Sequence, residues 1–351
     1  MDTLKIVVVG CGGMSETWIK TALALPNVDV VGFVDVVEAA AQKRRDQFNL
    51  SDAITGTQLD EVLGRTQPDI VFDITIPEAH YPVTKAALAH GCHVLGEKPL
   101  ANSMAEAREL VQCAQNAGRI FAVMQNRRHH PHIRRLRRLV RGDAMHAGQL
   151  GPLTTVNIDF YIGAHFGGFR DRMEHVLLLD MAIHTFDQAR FITGLDPVAV
   201  DYAREWNPAG SWYDHDAAAM VVFEFQNGLI VNYRGSWCAE GLRTSWESDW
   251  RVIGQHGTAK WDGNDRIEAE LVTQTGGFHS EVGPMSADWD LPDSADESKT
   301  QGHASLIADF VDCVRTGRQP ETTGEDNIKS LAMVFGAIES AERRGRVDIQ
   351  D

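Results

Sequence analysis

The chain has 351 residues, 43% of them hydrophobic, and 33 Lys and Arg against 49 Asp and Glu leave a formal charge of −16. Such a length suits two domains of about 100–200 residues each and buries a core without disulfide staples. The negative charge repels a polyphosphate backbone, which argues against nucleic acid as a partner. Five scattered cysteines, Cys11, Cys92, Cys113, Cys238 and Cys313, form no C-x-x-C pair and predict a reducing compartment. No window approaches the roughly 18 apolar residues of a membrane span, and the first residues lack a signal-peptide apolar region. Together these predict a cytoplasmic protein with no membrane partner.

From Leu4 to Val123, Val- and Ile-rich runs alternate with helical patterns: LKIVVVG, then 14–25; VDVVGFVD, then 37–48; PDIVFDIT, then 79–90; CHVLGE, then 103–117; RIFAVM. Strands separated by helices of that length predict βαβ units and a parallel sheet. Their continuous apolar character predicts strands covered on both faces. After Gly151 the runs LTTVNIDFYI, AAAMVVFEF, LIVNYRGSW, WRVIG, TAKWDG and DRIEAELV are joined by Asn-Gly and His-Gly turns, the pattern of antiparallel hairpins. Helical patterns return at 175–193, 303–316 and 324–343, the last opening on a Thr323-x-x-Asp326 capping box. The Asp-, Ser- and Pro-rich stretch 284–300 predicts a surface loop. The fold class is therefore α/β: a doubly wound Rossmann domain over 1–124, then an α+β domain over 125–351 with an open, predominantly antiparallel sheet. Helix 324–343 is a candidate to pack back on the first domain.

Gly10-Cys11-Gly12-Gly13-Met14-Ser15 stands where the first strand turns into the first helix. Gly10 allows the tight turn, Gly12 lets the backbone approach a pyrophosphate, and the helix N-terminus supplies N–H groups. Ser15 occupies the small third position of the fingerprint. Asp35 ends the second strand about 20 residues on, placed to accept a ribose diol. Val36 and Val37 follow it in place of an arginine for a 2′-phosphate, which favours NAD over NADP. Thr75-Ile76-Pro77, leading to His80, and Gly96-Glu97-Lys98-Pro99 end the third and fourth strands, where open α/β sheets bind ligands. A Lys at that place can hydrogen-bond a reacting hydroxyl.

In the second half, Asp180 and His184 stand four residues apart on one helix face, with Asp187 a further turn along. A carboxylate can fix the imidazole tautomer and raise its basicity, as a general base requires; the same pair can also be structural. No surrounding ligands have the spacing of a metal site, so no metal is expected. Tyr161, His165, Arg170, Arg172 and His175 offer hydrogen-bonding groups for a polyol. Trp206, Trp212, Tyr213 and Trp237 can stack on sugar faces, although core packing is their default. Gln125 to His130, followed by Arg134, Arg135, Arg137, Arg138 and Arg141, form the one strongly basic stretch, a solvated helix by the general rule for charge runs.

VVVGCGGM, Asp35, TIPEAHYPVTKAALAHGCHVLGEKPLA and LLLDMAIHTFDQARFITG together resemble the family of glucose–fructose oxidoreductase, inositol dehydrogenase and related proteins (Gfo/Idh/MocA) over almost the whole chain. The resemblance implies a Rossmann domain joined to an open-sheet domain, assembled as homodimers or homotetramers. It implies that Lys98 and His184 flank the substrate hydroxyl with Asp180 assisting, and that nicotinamide lies by Thr75–Pro77 and Glu97–Lys98. It further brings Asn126 to the cofactor and Arg127 to the substrate or nicotinamide. Ser15 and MEHVLLLD, which lacks a Gly-Gly before Asp180, depart from the family pattern.

The expected activity is NAD-dependent oxidation of a secondary hydroxyl of a sugar, sugar derivative or cyclitol, with His184 as base and Lys98 on the oxygen. Two rivals stand beside it. One is a redox-neutral glycosidase or epimerase-like enzyme that retains NAD, for which His175 or Tyr161 would supply an extra acid or base. The other is a dinucleotide-binding regulatory sensor without turnover.

Overall fold

A computed structural model describes residues 3–143, 147–285 and 298–350, and in it the chain divides into two compact units. The first comprises Met1–His129 with Gln301–Ile328, the second His130–Thr300 with Lys329–Gln350. Most of the predicted 284–300 loop, residues 286–297, lies outside the described residues.

In the first unit, strands β1 (Leu4–Val9), β2 (Val28–Val34), β3 (Ile54–Gly56), β4 (Ile70–Asp73), β5 (His93–Gly96) and β6 (Phe121–Val123) form one sheet. Its order is β3-β2-β1-β4-β5-β6 and every pair is parallel. This is the doubly wound dinucleotide-binding arrangement, with ligands expected beyond the carboxyl ends of the strands. The helices are α1 (Ser15–Ala24), α2 (Glu38–Gln47), α3 (Leu59–Thr66), α4 (Pro77–Ala89) and α5 (Met104–Ala117). The Val and Ile of β1 and β4 are buried almost without interruption, as covering on both faces requires. Trp18 of α1 packs edge-on to Phe72 at 5.1 Å, and Leu306, Ile307 and Phe310 of α8 (His303–Thr316) complete the same core. Ser103 caps α5 by accepting the Glu106 N–H, and Gly118 in the left-handed region ends it.

The sequence reading passes over β3 and α3. The strand is three residues at a sheet edge, too short for a period, and the helix is eight residues long with only Leu59, Val62 and Leu63 at helical spacing, two of them buried. The capping box at Thr323 forms in one direction: its hydroxyl accepts the Asp326 N–H. The Asp326 carboxylate instead receives the buried Arg128 guanidinium, which also donates to the Glu321 carbonyl at 2.7 Å.

The second unit is built on a mixed sheet in the order β14-β13-β12-β11-β7-β10-β9-β8-β15. These strands are β7 (Leu153–Tyr161), β8 (Pro197–Trp206), β9 (Ala218–Phe225), β10 (Ile230–Ser236), β11 (Asp249–Gly254), β12 (Gly257–Trp261), β13 (Ile267–Gln274), β14 (Glu281–Pro284) and β15 (Val347–Asp348). All of its pairs are antiparallel except β7 with β10. Val156, Ile158 and Phe160 alternate inward along β7, while Asn157, Asp159 and Tyr161 take the other face. Phe186 of α7 (Ile183–Thr193) packs edge-on against Phe223 and Tyr233 of the inward face. Every residue of α7 is buried, which makes it the central helix of the unit.

The basic stretch differs from a solvated helix. In α6 (Pro131–Arg141), Ile133, Leu136, Leu139 and Val140 are buried, and Arg134 and Arg137 lay their guanidinium groups over the Phe191 ring of α7. Arg138 pairs with Asp143 at 2.6 Å. These arginines cover an apolar helix with their stems and planar heads. α9 (Gly324–Arg343) follows the predicted limits.

Candidate active site

The glycine-rich loop is held open by its own backbone. Gly10 has φ +87°, and a Cβ there would collide with the Ile74 carbonyl, so the β1–α1 and β4–α4 loops meet where only glycine fits. Gly12 and Gly13 are exposed and have open space beside them. The N–H groups of Gly12, Gly13 and Met14 donate to no other group among the described residues. Three unspent donors at the start of a helix suit an anionic diphosphate. Asp35 accepts the Cys11 N–H at 2.8 Å and the Val37 N–H at 2.9 Å, leaving lone pairs for a ribose diol. Val36 is 92% exposed and supplies no cation beside it. The Cys11 thiol is buried and pushed up to about 12 by desolvation, chiefly, and by Asp35, so it stays neutral. These features fit a dinucleotide.

At the carboxyl end of β4, Asp73 is fully buried and collects the loop around itself. The Thr75 hydroxyl donates to its Oδ1 at 2.6 Å, the Thr84 hydroxyl to its Oδ2 at 3.2 Å, and His80 Nδ1 lies 3.2 Å from Oδ1. His80 is therefore turned into the unit, 2% exposed, and fixes the loop that carries Ile76 and Pro77. At the end of β5, Glu97 accepts the Trp18 indole N–H at 3.2 Å, and its own backbone N–H donates to the Asp73 carbonyl at 2.8 Å. Lys98, half-buried, follows it. Asn126 and Arg127 open a 3₁₀ turn, Asn126–His129, directly after β6. The Gly302 N–H donates to the His129 carbonyl at 2.9 Å, which brings His303 into this group. Burial, mainly, holds the His303 imidazole below its ordinary pKa, with Glu97 opposing and Arg127 reinforcing that shift.

In the second unit Asp180 lies within a π-helical turn, Leu177–Ala182, that runs directly into α7 and His184. Such turns are rare and recur at functional sites. Arg170 grips Asp180 with Nε to Oδ2 at 2.8 Å and Nη2 to Oδ1 at 3.3 Å. Its guanidinium carbon is 5.0 Å from the Phe166 ring centre and 4.7 Å from that of Phe169. His184 is 8% exposed.

Of the second-unit residues expected at the substrate, the structure joins Arg170 to Asp180 and leaves three elsewhere. Tyr161 stands on the sheet face opposite Phe160, beside Asp159 and Arg234. His165 is on an exposed loop, stacked on Trp212 at 3.6 Å and paired with Glu240 at 2.8 Å. His175 pairs with the buried Glu205 at 2.7 Å. Alternation along β7 could have placed Tyr161 from the sequence; the other two depend on loop geometry. Asp187 accepts the Ser330 hydroxyl at 2.8 Å deep inside the unit and is structural. Trp237 is core, packed on Phe160 and Phe166, whereas Trp212 and Tyr213 both donate to the Ala164 carbonyl. Asp73, His303 and the exposed rings of Phe166 and Phe169 are unannounced in the sequence; the only trace is Phe-Gly-Gly-Phe-Arg at 166–170. Among the described residues, no three His, Cys, Asp or Glu are grouped to hold a metal ion, and no helix is long and apolar enough to cross a membrane.

Comparison with known proteins agrees with this picture. The chain is 25% identical to the 1,5-anhydro-D-fructose reductase of Ensifer adhaerens over 97% of both chains. It is 26% identical to the D-apiose dehydrogenase of Rhizobium rhizogenes, over 99% of this chain and 98% of the other. Its fold superposes with a TM-score of 0.81, at 22% identity and 98% coverage of each chain, on an oxidoreductase from Agrobacterium radiobacter solved with NAD+, L-tartaric acid and magnesium. Residues 4–125 match the Gfo/Idh/MocA oxidoreductase family's NAD-binding Rossmann fold, and residues 133–260 match its C-terminal domain. The chain belongs to the Gfo/Idh/MocA oxidoreductase family and carries its NAD-binding domain.

Proposed function

We propose that the protein is an NAD-dependent dehydrogenase that oxidises a secondary hydroxyl of a sugar, sugar derivative or cyclitol to the ketone. The observation that carries this reading is the position of Lys98 at the carboxyl end of β5, in a sheet where β4 alone separates β5 from the strand that bears the dinucleotide loop. Relatives named as a sugar reductase and a sugar dehydrogenase support the substrate class.

The dinucleotide supplies the hydride acceptor when bound, and the side chains supply alignment and electrostatics. Gly12, Gly13 and Met14 offer N–H groups to the diphosphate, and Asp35 accepts the adenosine ribose hydroxyls. The Asp73 cluster holds Thr75, Ile76 and Pro77 in place beside the nicotinamide, with His80 acting from within that cluster, and Glu97 and Asn126 bordering it. His184 accepts the hydroxyl proton, and the Lys98 ammonium stabilises the charge that develops on the oxygen. Asp180, oriented by Arg170, keeps the His184 region polar, and Arg127 contacts the substrate. The carbinol hydrogen leaves as hydride, so one alcohol and one oxidised cofactor give one ketone, one reduced cofactor and a proton. Asp35 and the absence of a cation at Val36 favour NAD over NADP. Of the two candidates for the extra acid or base of a redox-neutral enzyme, His175 is paired with Glu205 at 2.7 Å and Tyr161 stands on the sheet face opposite Phe160. Assembly as a homodimer or homotetramer is part of the same proposal, drawn from the family resemblance.

The test is to follow absorbance at 340 nm with NAD and, separately, NADP across inositols, aldoses, anhydrosugars and glycosides. Steady NADH formation with one polyol class is expected. Substrate consumed without net NADH would replace this reading by the redox-neutral one, and tight NAD binding with no turnover by the sensor.

A further inference from the structure

The one departure of the glycine loop from its fingerprint, Ser15, is fully buried, and its hydroxyl donates to the Gly12 carbonyl at 2.7 Å. The same carbonyl receives Nη2 of Arg44, a residue of α2, at 2.6 Å, and that nitrogen also reaches the Cys11 carbonyl at 3.3 Å. Arg44 is 9% exposed, and its Nη1 is held by Gln47 at 2.7 Å and by Glu16 at 3.4 Å. In a planar trans peptide the carbonyl of one residue and the N–H of the next point in opposite directions. Fixing the Gly12 carbonyl inward therefore turns the Gly13 N–H outward, and fixing the Cys11 carbonyl does the same for the Gly12 N–H. Beyond these side chains the two adjacent exposed glycines are held only by long backbone bonds, from the Ser15 N–H to the Gly12 carbonyl and from the Glu16 N–H to the Gly13 carbonyl, both 3.3 Å.

We propose that Ser15 and Arg44 form a clamp on the Gly12 carbonyl that presets the outward N–H groups of the loop and so determines its affinity for the diphosphate of the dinucleotide. Both are positioning residues: the Ser15 hydroxyl and Nη2 of Arg44 are spent on the back of the loop, and the diphosphate meets only the amides they orient. A glycine or alanine at position 15 has no hydroxyl for this purpose. The clamp concerns the cofactor alone, so it stands or falls independently of the sugar substrate. Arg44 also adds positive charge behind the loop, and separating charge from geometry needs a variant that keeps one and loses the other.

The experiment measures the affinities of the full chain for NAD, ADP-ribose and adenosine by calorimetry in S15A, R44Q, R44K and S15A/R44Q. Ser15→Ala and Arg44→Gln should each weaken NAD and ADP-ribose by about tenfold, a change of 1.4 kcal/mol. Arg44→Lys should lose as much as Arg44→Gln, because an ammonium cannot reproduce the fork. The double variant should lose less than the product of the singles, the mark of two groups acting on one carbonyl. Adenosine, held at Asp35, should keep its affinity. Wild-type NAD affinity in Ser15→Ala would overturn the clamp, as would full affinity in Arg44→Lys, strictly multiplicative losses, or an equal loss for adenosine, which would mean that the pocket had collapsed.

Discussion

Arg170 and Asp180 form a two-point ion pair, Nε to Oδ2 at 2.8 Å and Nη2 to Oδ1 at 3.3 Å, which ties the loop of Arg170 to the π turn that carries Asp180 and leads to His184. The Asp180 side chain is 10% exposed and that of Arg170 32%, so solvent screens the pair in part, from the arginine side. Arg170→Gln should lower stability by about 1–3 kcal/mol, the cost of removing one partner from a charged hydrogen bond. It should also lower kcat/KM at least tenfold. Urea midpoints and steady-state rates check both; wild-type kcat/KM would separate Arg170 from the chemistry.

The three loop glycines should behave differently from one another. Gly10→Ala places a side chain at φ +87° against the Ile74 carbonyl, and strain of that kind costs about 1–3 kcal/mol before the collision is counted. Gly12→Ala and Gly13→Ala meet open space, so their melting temperatures should match wild type while their NAD affinity falls. Thermal melts beside NAD titrations read the contrast. A stable Gly10→Ala protein would contradict the loop geometry.

The His175 imidazole is raised above its ordinary value by its hydrogen bond to Glu205, while burial raises the Glu205 carboxyl. A raised histidine binds more protons folded than unfolded, so its contribution is full below its unfolded pKa and fades as pH rises through the folded one. Compared with His175→Gln, wild-type protein should be more stable below pH 6.5, the ordinary histidine value, and should lose that margin as pH rises above it. A margin constant with pH would mean that the pair is not an ion pair.

His93 runs the other way. Burial, then Arg119, lowers it to about 4, and its Nδ1 accepts the Ile120 N–H at 2.9 Å. Here the unfolded chain binds the extra proton, so stability is present above the unfolded pKa of about 6.5 and is lost as pH falls toward 4. His93→Asn, which can still accept that N–H, should flatten the acid limb of the melting-temperature profile. An acid limb unchanged in the variant would assign the loss to other groups.

Much of this molecule is legible in its sequence. Continuous Val and Ile runs announce the parallel strands because both sheet faces are covered, and the Asn-Gly hairpin between β9 and β10 announces its own turn: Asn227 and Gly228 both take positive φ. The edge strand β3 is silent because three residues are too few to impose a period, and α3 shows only three apolar positions at helical spacing, Leu59, Val62 and Leu63. At the candidate site, Gly10 could be read because its positive φ demands glycine, and Asp35 because a carboxylate after β2 can accept the Cys11 and Val37 N–H groups. Asp73 could not, since nothing local marks a carboxylate that collects Thr75, His80 and Thr84 from the following loop and helix. The arginines of α6 read as solvated because charge alone was visible; Phe191, the ring over which two of them lie, is more than fifty residues away in the chain.

The central claim is that Lys98 and His184 perform the chemistry on a hydroxyl beside the nicotinamide, while the β1–α1 loop and Asp35 hold the diphosphate and the adenosine ribose. Lys98→Ala and His184→Ala should each reduce turnover of the identified polyol by about 10²–10⁴, the usual worth of a positioned acid or base, and leave the NAD dissociation constant within about threefold of wild type. Undiminished turnover in either variant would contradict it.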